Sequence, residues 1–333
     1  MAYSGSGVTP LSPLIEQVLA IAGESVLTAE SYSAARLLAP IIGRDGRTGQ
    51  FVRNNTRRGF SLKQAPKSAT SVSLYSDEFP QLTDAYTLGT FELELYKLAE
   101  HLLPDRVRDQ WKNLSAVDQA SRIGVWLGTL NAAAHSYLAF NYAGTSGNWD
   151  SAHAADGGDA TSTNWDIIAL LQTMRTVNVK AGKFAGKQSS RMFIADDLYP
   201  YLYKNQYLRS TVTALQDGSG GIPYLTDDQV GAAIRAHLPG VEVIRVDTYY
   251  EAADCTVTAD LSGKIIWTPT ATNEEDMTLV THVPNDDGGN PAPFSIRNEY
   301  DKRVPGERFF CEFDGAIGFM DIKRGYLAHS LLS

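Results

Sequence analysis

The chain has 333 residues, a net charge of −9, 43% hydrophobic and 20% charged residues, which is ample for a buried core in one or two domains. Its acidic balance opposes nucleic-acid binding by the surface as a whole, and two cysteines, Cys255 and Cys311, argue against a disulfide framework and fit a reducing cytoplasm. No apolar run approaches the ~20 residues of a membrane span, and the opening MAYSGSGVTPLSPLIEQ lacks the basic start and apolar block of a secretory signal.

The charge is unevenly spread. From Arg44 to Lys67 there are seven basic residues against Asp45 alone, a net of +6, so the rest of the chain carries −15. One basic segment sits on an acidic body.

In chain order, residues 1 to 20 read as an arm that takes its order from its neighbours. Residues 24 to 40, ESVLTAESYSAARLLAP, predict a short helix closed by Pro40 and Gly43. Residues 44 to 85 are rich in glycine, serine and polar groups, too poor in apolar surface to stand alone. Phe51, Val52, Phe60, Leu62, Val72 and Leu74 nevertheless suit strands and predict a long two-stranded ribbon. An isolated ribbon is marginally stable, so it should lie on something, most simply another subunit. Arg53, Arg57, Arg58, Lys63 and Lys67 suit nucleic-acid phosphates or, equally, an acidic neighbouring subunit.

Thr87 to Leu103, TLGTFELELYKLAEHLL, predicts a strand with alternation at Phe91, Leu93 and Leu95, passing into a short helix before Pro104. Ser115 to Tyr142 predicts a long helix of roughly 40 Å. Its stripe runs through Ala116, Ala120, Ile123, Leu127, Leu130, Ala134, Tyr137 and Asn141 in steps of three and four. Ser115 serves as N-cap with Asp118 three places on, and Gly144 and Gly147 end the helix. NWDSAHAADGGDATST, residues 148 to 163, is a connector.

From Asn164 helices and strands alternate. NWDIIALLQTMRTV is a helix, RMFIA a short buried strand, DLYPYLYKNQYL a tyrosine-rich helical segment, and LTDDQVGAAIRAHL a helix with a capping box at Thr226 and Gln229. VEVIRV, KIIWT and MTLVTHV are strands. Arg303 to Leu332 predicts strands with a hairpin turn near Asp314-Gly315.

Motifs that carry chemistry fail one by one. GKFAGKQ (182–188) has Ala181 where a phosphate loop needs glycine and Gln188 where it needs a hydroxyl. The six histidines form no HxH, HxxxH or HExxH pair, and neither cysteine has a partner at zinc spacing. Asp156-Gly157-Gly158-Asp159 and Asn285-Asp286-Asp287-Gly288-Gly289 lack the alternating ligands of a calcium loop and read as turns. There is no GxSxG elbow and no GxGxxG fingerprint. No catalytic residue, metal ligand or cofactor is expected.

The order of parts resembles the major capsid proteins of tailed bacteriophages, with the Hong Kong 97-type fold. TGQFVRNNTRRGFSLKQAPKSA resembles the family's extended loop, and TLGTFELELYKLAEHLLPDRVRD the strand and turn returning from it. NWDSAHAADGGDATSTNWDIIALLQTMR resembles the entry to the axial domain. RMFIADDLYPYLYKNQYLRSTV and LTDDQVGAAIRAHLPGVEVIRVDTYYEAAD resemble its next strand and helix pairs. The resemblance runs from about Arg44 onward and lies in order and pattern.

It implies an α+β chain in five parts: an N-terminal arm (1–43), an extended β-hairpin loop (44–87), a peripheral domain with the spine helix (88–148), an α/β axial domain (149–303), and closing strands of the peripheral domain (304–333). It implies a non-enzymatic subunit of hexamers and pentamers in a virion head shell, assembled in the host cytoplasm around double-stranded DNA that is contacted without sequence preference. Scaffolding, portal and decoration proteins would be separate partners, since the N-terminus is too short for a scaffolding segment. The loop residues Arg47, Phe51, Arg53, Arg57, Arg58, Lys63 and Lys67 become the expected contacts between subunits, the two lysines also suiting a cross-link to asparagine. Rival readings are an encapsulin-type shell around protein cargo, a cytoplasmic α/β enzyme built on residues 164–283, and a tail or decoration protein.

Overall fold

The computed structural model describes residues 30–54, 86–104, 116–162, 165–180, 190–215, 224–251, 256–271, 277–301 and 306–332. Helix α1 (Glu30–Leu38) leads into β1 (Ile41–Arg44), β2 (Thr48–Asn54), β3 (Tyr86–Glu92) and β4 (Glu94–Pro104). The long helix α2 (Ala116–Ala143) and β5 (Ala154–Asp156) follow. Next come α3 (Ile167–Lys180), β6 (Ser190–Ala195), α4 (Tyr199–Leu202), α5 (Gln206–Leu215), α6 (Asp227–His237), β7 (Val241–Val246), β8 (Tyr249–Glu251) and β9 (Val257–Ala259). The chain closes with β10 (Ile265–Pro269), β11 (Leu279–Pro284), β12 (Phe294–Asp301), β13 (Gly306–Phe319) and β14 (Tyr326–His329).

Among the described residues, β2 pairs with β3 and β8 with β9 in two-stranded sheets, while two five-stranded sheets hold the other ten strands. One is built on β13, whose 14 residues pair with β4 along Gly306–Gly315, with β12 along Gly306–Phe313 and with β11 along Leu279–His282. β1 adds in parallel to β11. Two expectations are corrected here. Lys97 to Leu103 is strand, because it pairs antiparallel with β13 from Lys97↔Glu312 to Leu103↔Glu307, and that ladder takes the place of bonds within a helix turn. Asp314 and Gly315 form no hairpin turn; they lie inside β13, opposite Leu95 and Glu94. A bulge at Cys311/Glu312 absorbs the mismatch between the long strands.

The other sheet has the order β5-β14-β10-β6-β7, with β6 and β7 parallel and joined through α4, α5 and α6. Parallel neighbours need such a helical crossover. Thr226 caps α6 as the sequence requires: its hydroxyl accepts from Gln229 N at 3.4 Å while Gln229 Oε1 accepts from Thr226 N at 3.0 Å. β14 belongs to this second sheet, between β5 and β10, so the closing segment is shared between the two sheets.

The long helix stands where expected, and its N-cap Ser115 lies outside the described residues. Its buried positions, however, step by four: Ile123, Leu127, Asn131, His135, Ala139 and Ala143 in one row, Ala132, Ser136 and Phe140 in the next. Asn141 at the end of the expected stripe is exposed. Polar residues occupy the stripe because each finds a partner inside. His135 Nε2 pairs with Thr281 at 2.9 Å, Ser136 Oγ donates to Asp260 at 2.7 Å, and Asn131 donates to the Leu127 carbonyl at 3.2 Å. Burial of a polar group is tolerated only with such bonds. At the C-terminal end, Phe140 meets Phe193 of β6 edge-on at 6.1 Å, and Trp149 Nε1 donates to the Ala143 carbonyl at 2.6 Å. The helix thereby joins the core of the second sheet.

Candidate assembly surface

The basic ribbon begins as expected. β2 and β3 pair antiparallel from Thr48↔Glu92 to Asn54↔Tyr86. Arg53 lies in β2 opposite Thr87, while Arg57, Arg58, Lys63 and Lys67 lie outside the described residues. What the structure resolves is the root of the ribbon and how the body holds it.

Two clamps do this. Arg47, just before β2, sends both terminal nitrogens to Asp314 of β13 at 2.6 and 3.1 Å, and one also reaches the Leu93 carbonyl at 3.4 Å. The second clamp is a ring stack. His282 of β11 lies between Phe51 of β2 and Phe91 of β3, with centroids 4.9 and 4.8 Å away. Arg44 Nε donates to His282 Nδ1 at 3.0 Å, and its guanidinium sits 5.7 Å from the Phe91 ring. Accepting at Nδ1 puts the proton of the neutral ring on Nε2. Burial, then the Arg44 charge, lowers the His282 pKa to about 4.

Phe51 is 5% exposed and packs against Val280 and Met320 of its own chain, which anchors the root of the ribbon. Arg47 is engaged by its own Asp314. The sequence reading missed His282 and Asp314. A histidine inside the apolar run MTLVTHV was the legible sign of the first; nothing local marks the second, because the turn chemistry of Asp-Gly dominates there.

Beside the root lies an open groove of about 440 Å³ between β3, β4, the C-terminal end of α2 and residues 315–318. Glu92 and Glu94 are exposed on its rim, and Tyr96 donates to Glu94 at 2.6 Å. Burial first, then this bond, raises the Tyr96 pKa to about 12. The groove offers an acidic edge of the kind a basic ribbon would meet.

The strand ends of β6 and β7, where α/β enzymes commonly bind ligands, are filled with mutually paired charges. Arg245 reaches Asp196 at 2.5 Å and Asp227 at 2.9 Å, and stacks on Tyr199 at 4.6 Å. Tyr249 donates to Asp196 and Tyr203 to Asp227. Bonding to Asp196, then burial, raises the Tyr249 pKa to about 12, and burial raises that of Tyr203. These hydroxyls hold their protons at neutral pH and serve as donors in the network.

The aspartate-rich loops are turns. Asp156 Oδ1 accepts from Gly158 N at 2.9 Å, and Asp286 Oδ1 accepts from Gly288 N at 2.8 Å and Asn290 N at 2.7 Å. The carboxylates are spent on backbone donors. Among the described residues no group of three metal-ligating side chains occurs, and no helix is long and apolar enough to cross a membrane.

No protein-family model and no curated protein matches the sequence. Solved structures do match. A phage-related protein from Bordetella bronchiseptica superposes with a TM-score of 0.68 over 95% of this chain and 96% of that one, at 12% identity. The virus-like particle from Pyrococcus furiosus gives 0.54 over 95% and 98%, at 9% identity. The mature capsid of bacteriophage PhiM1 gives 0.52 over 89% and 86%, at 11% identity. Likeness at such identities is likeness of fold: the chain has the Hong Kong 97-type fold of phage shell proteins.

Proposed function

We propose that the protein is a major capsid protein, a structural subunit that assembles through pentamers and hexamers into an icosahedral head shell around double-stranded DNA. The observation that carries this is the end-to-end match, over 95% of this chain, to a phage-related protein, with a phage capsid and a virus-like particle sharing the same fold. On this reading, residues 44–87 cross onto a neighbouring subunit and residues 149–303 approach the symmetry axis. Repeated head-to-tail contacts between identical copies close into rings, and rings tile a shell. Each contact can be weak, because many act together.

The clamps at the ribbon root fit this role. A basic segment launched from a rigid base arrives at its neighbour with a set direction, and complementary charge adds orientation more than strength. Scaffolding, portal and decoration proteins would be separate chains, and assembly in a host cytoplasm is part of the same proposal. A shell of this fold enclosing protein cargo is the second reading, since a virus-like particle is among the structural neighbours.

Negative-stain electron microscopy with sedimentation tests the proposal. Closed shells, or rings of five and six subunits, are the expected result, and mass spectrometry of the contents separates DNA from protein cargo. A monomer or dimer at every concentration and salt would overturn it and return attention to an enzymatic reading of residues 164–283.

A further inference from the structure

The groove beside the ribbon root holds a hydrogen-bond donor with nothing to donate to. His282 is buried and lines that groove. Arg44 donates to its Nδ1, so the proton of the neutral ring sits on Nε2, and Nε2 has no hydrogen-bond partner among the described residues. It lies just under the groove floor at Gly318, where an added Cβ would stand 3.6 Å from Nε2. Buried polar groups without partners are rare in folded chains. One placed at a groove calls for an acceptor from outside.

The rim makes a second demand. Glu92 and Glu94 are exposed, and neither is ion-paired among the described residues. Arg47 reaches the Leu93 carbonyl between them, and its charge is matched by Asp314. Phe91, Tyr96 and Tyr142 line the walls, and a guanidinium stacks well on such rings. A fitting occupant therefore carries positive charge and, a few atoms away, a carbonyl or hydroxyl oxygen. A basic peptide segment has both.

We propose that this groove receives the basic segment of a second copy of this chain, with Arg57 and Arg58 on Glu92 and Glu94 and a backbone carbonyl accepting from His282 Nε2. The inference rests on the capsid reading, in which the ribbon crosses onto a neighbour, and gives that crossing its landing place. Charge complementarity selects the occupant: residues 44–67 carry +6 and the rest of the chain −15. The ribbon's direction selects a second copy. Arg53 is fixed opposite Thr87, five ladder positions from the Thr48↔Glu92 pair, which is roughly 17 Å at ~3.4 Å per residue. β2 thus carries its basic continuation away from the groove of its own subunit.

The test uses the full-length protein under assembling conditions, in a Cys255→Ser background. One tagged chain carries Glu92→Cys, another with a different tag carries Arg57→Cys, and the mixed assembly is treated with a short bismaleimide linker. The expected result is a linked pair bearing both tags, at least ~10-fold above a control pairing Arg57→Cys with Glu242→Cys, a site 60% exposed on β7. With Glu92→Cys and Arg57→Cys in one chain, a link that leaves the chain monomeric would assign the groove to its own ribbon and overturn the inference.

Charge reversal reads the same contact independently. Glu92→Lys with Glu94→Lys should raise the protein concentration needed for assembly about 10-fold, and adding Arg57→Glu with Arg58→Glu should restore it. A defect without that rescue would give the groove another occupant and overturn the inference. Gly318→Ala sets a methyl in ordinary contact with Nε2; it should raise the assembly concentration a few-fold at an unchanged melting temperature, and no change would overturn the hydrogen bond. Closed shells in micrographs with no link between the tags would overturn the inference and leave the capsid reading standing. A monomer at every concentration would overturn both.

Discussion

Arg47 and Asp314, 267 positions apart, form a two-pronged ion pair at 2.6 and 3.1 Å that ties the root of the basic ribbon to the middle of β13. Asp314 is 15% exposed while Arg47 is 58% exposed, so water weakens the pair, which contributes about 0–1 kcal/mol to stability. Its consequence is directional. Asp314→Asn should leave the melting temperature within a few degrees of the parent, yet shift assembly toward irregular or open particles in electron micrographs. Arg47→Asp combined with Asp314→Arg should restore closed particles. Normal shells from both single variants would remove the pair from assembly.

Acid should weaken the fold through two histidines. Burial lowers His282 and His135 to about 4, aided by Arg44 and Arg36 respectively. In the unfolded chain both titrate near 6.5, so between pH 6.5 and 4 the unfolded state binds the extra protons. Stability is therefore present above 6.5 and falls as pH drops, by up to roughly 3 kcal/mol per histidine at pH 4. Urea midpoints at pH 7, 6 and 5 should show the decline, and His282→Gln should flatten it. The same slope in the variant would place the proton uptake elsewhere.

Asp260 works in the opposite sense. Its carboxyl is 7% exposed, accepts from Ser136 at 2.7 Å and leaves Oδ1 without a partner. Burial raises its pKa above 3.8, so the folded state pays for the ionised form as pH rises through that raised value, and the cost is full above it. Asp260→Asn should match or exceed the parent's stability at pH 8 by up to about 1 kcal/mol, with the difference vanishing toward pH 3.8. A large loss at pH 8 would show that the charge itself is needed.

Gly325 holds a turn that no other residue fits well. Its φ is +151°, and an added Cβ would stand 2.8 Å from the Trp267 carbonyl and 3.0 Å from the Trp149 ring. Gly325→Ala should cost on the order of 1–3 kcal/mol through backbone strain and displacement of these two groups. An unchanged melting temperature would mean the turn can reshape freely.

Cys311 should be inert in the folded protein. Burial raises its pKa to about 11, and the thiol is 1% exposed beside Asn131. In a Cys255→Ser background, a thiol reagent should label nothing at pH 8 until denaturant is added, since the thiolate is the reactive form. Prompt labelling would show that β13 opens readily.

The long helix, the capping box at Thr226 and Gln229, the alternation of helix and strand after Asn164, and the paired start of the ribbon were all legible in the sequence, because each is decided by neighbours a few positions away. Periods of hydrophobicity, cap chemistry and turn residues act over that range. The same local rules pointed to a helix at Lys97–Leu103 and a turn at Asp314-Gly315. Both segments became strand because they pair with each other's surroundings across more than two hundred residues, and ladder bonds outweigh a weak local preference. Tertiary structure alone decided that Asn131, His135 and Ser136 turn inward on the long helix, since their partners Cys311, Thr281 and Asp260 come from segments far away in sequence and a buried polar group needs its partner beside it. It also decided what holds the ribbon root: Val280, His282 and Asp314, which pack or pair with Phe51 and Arg47, come within reach only when β11 and β13 lie beside it.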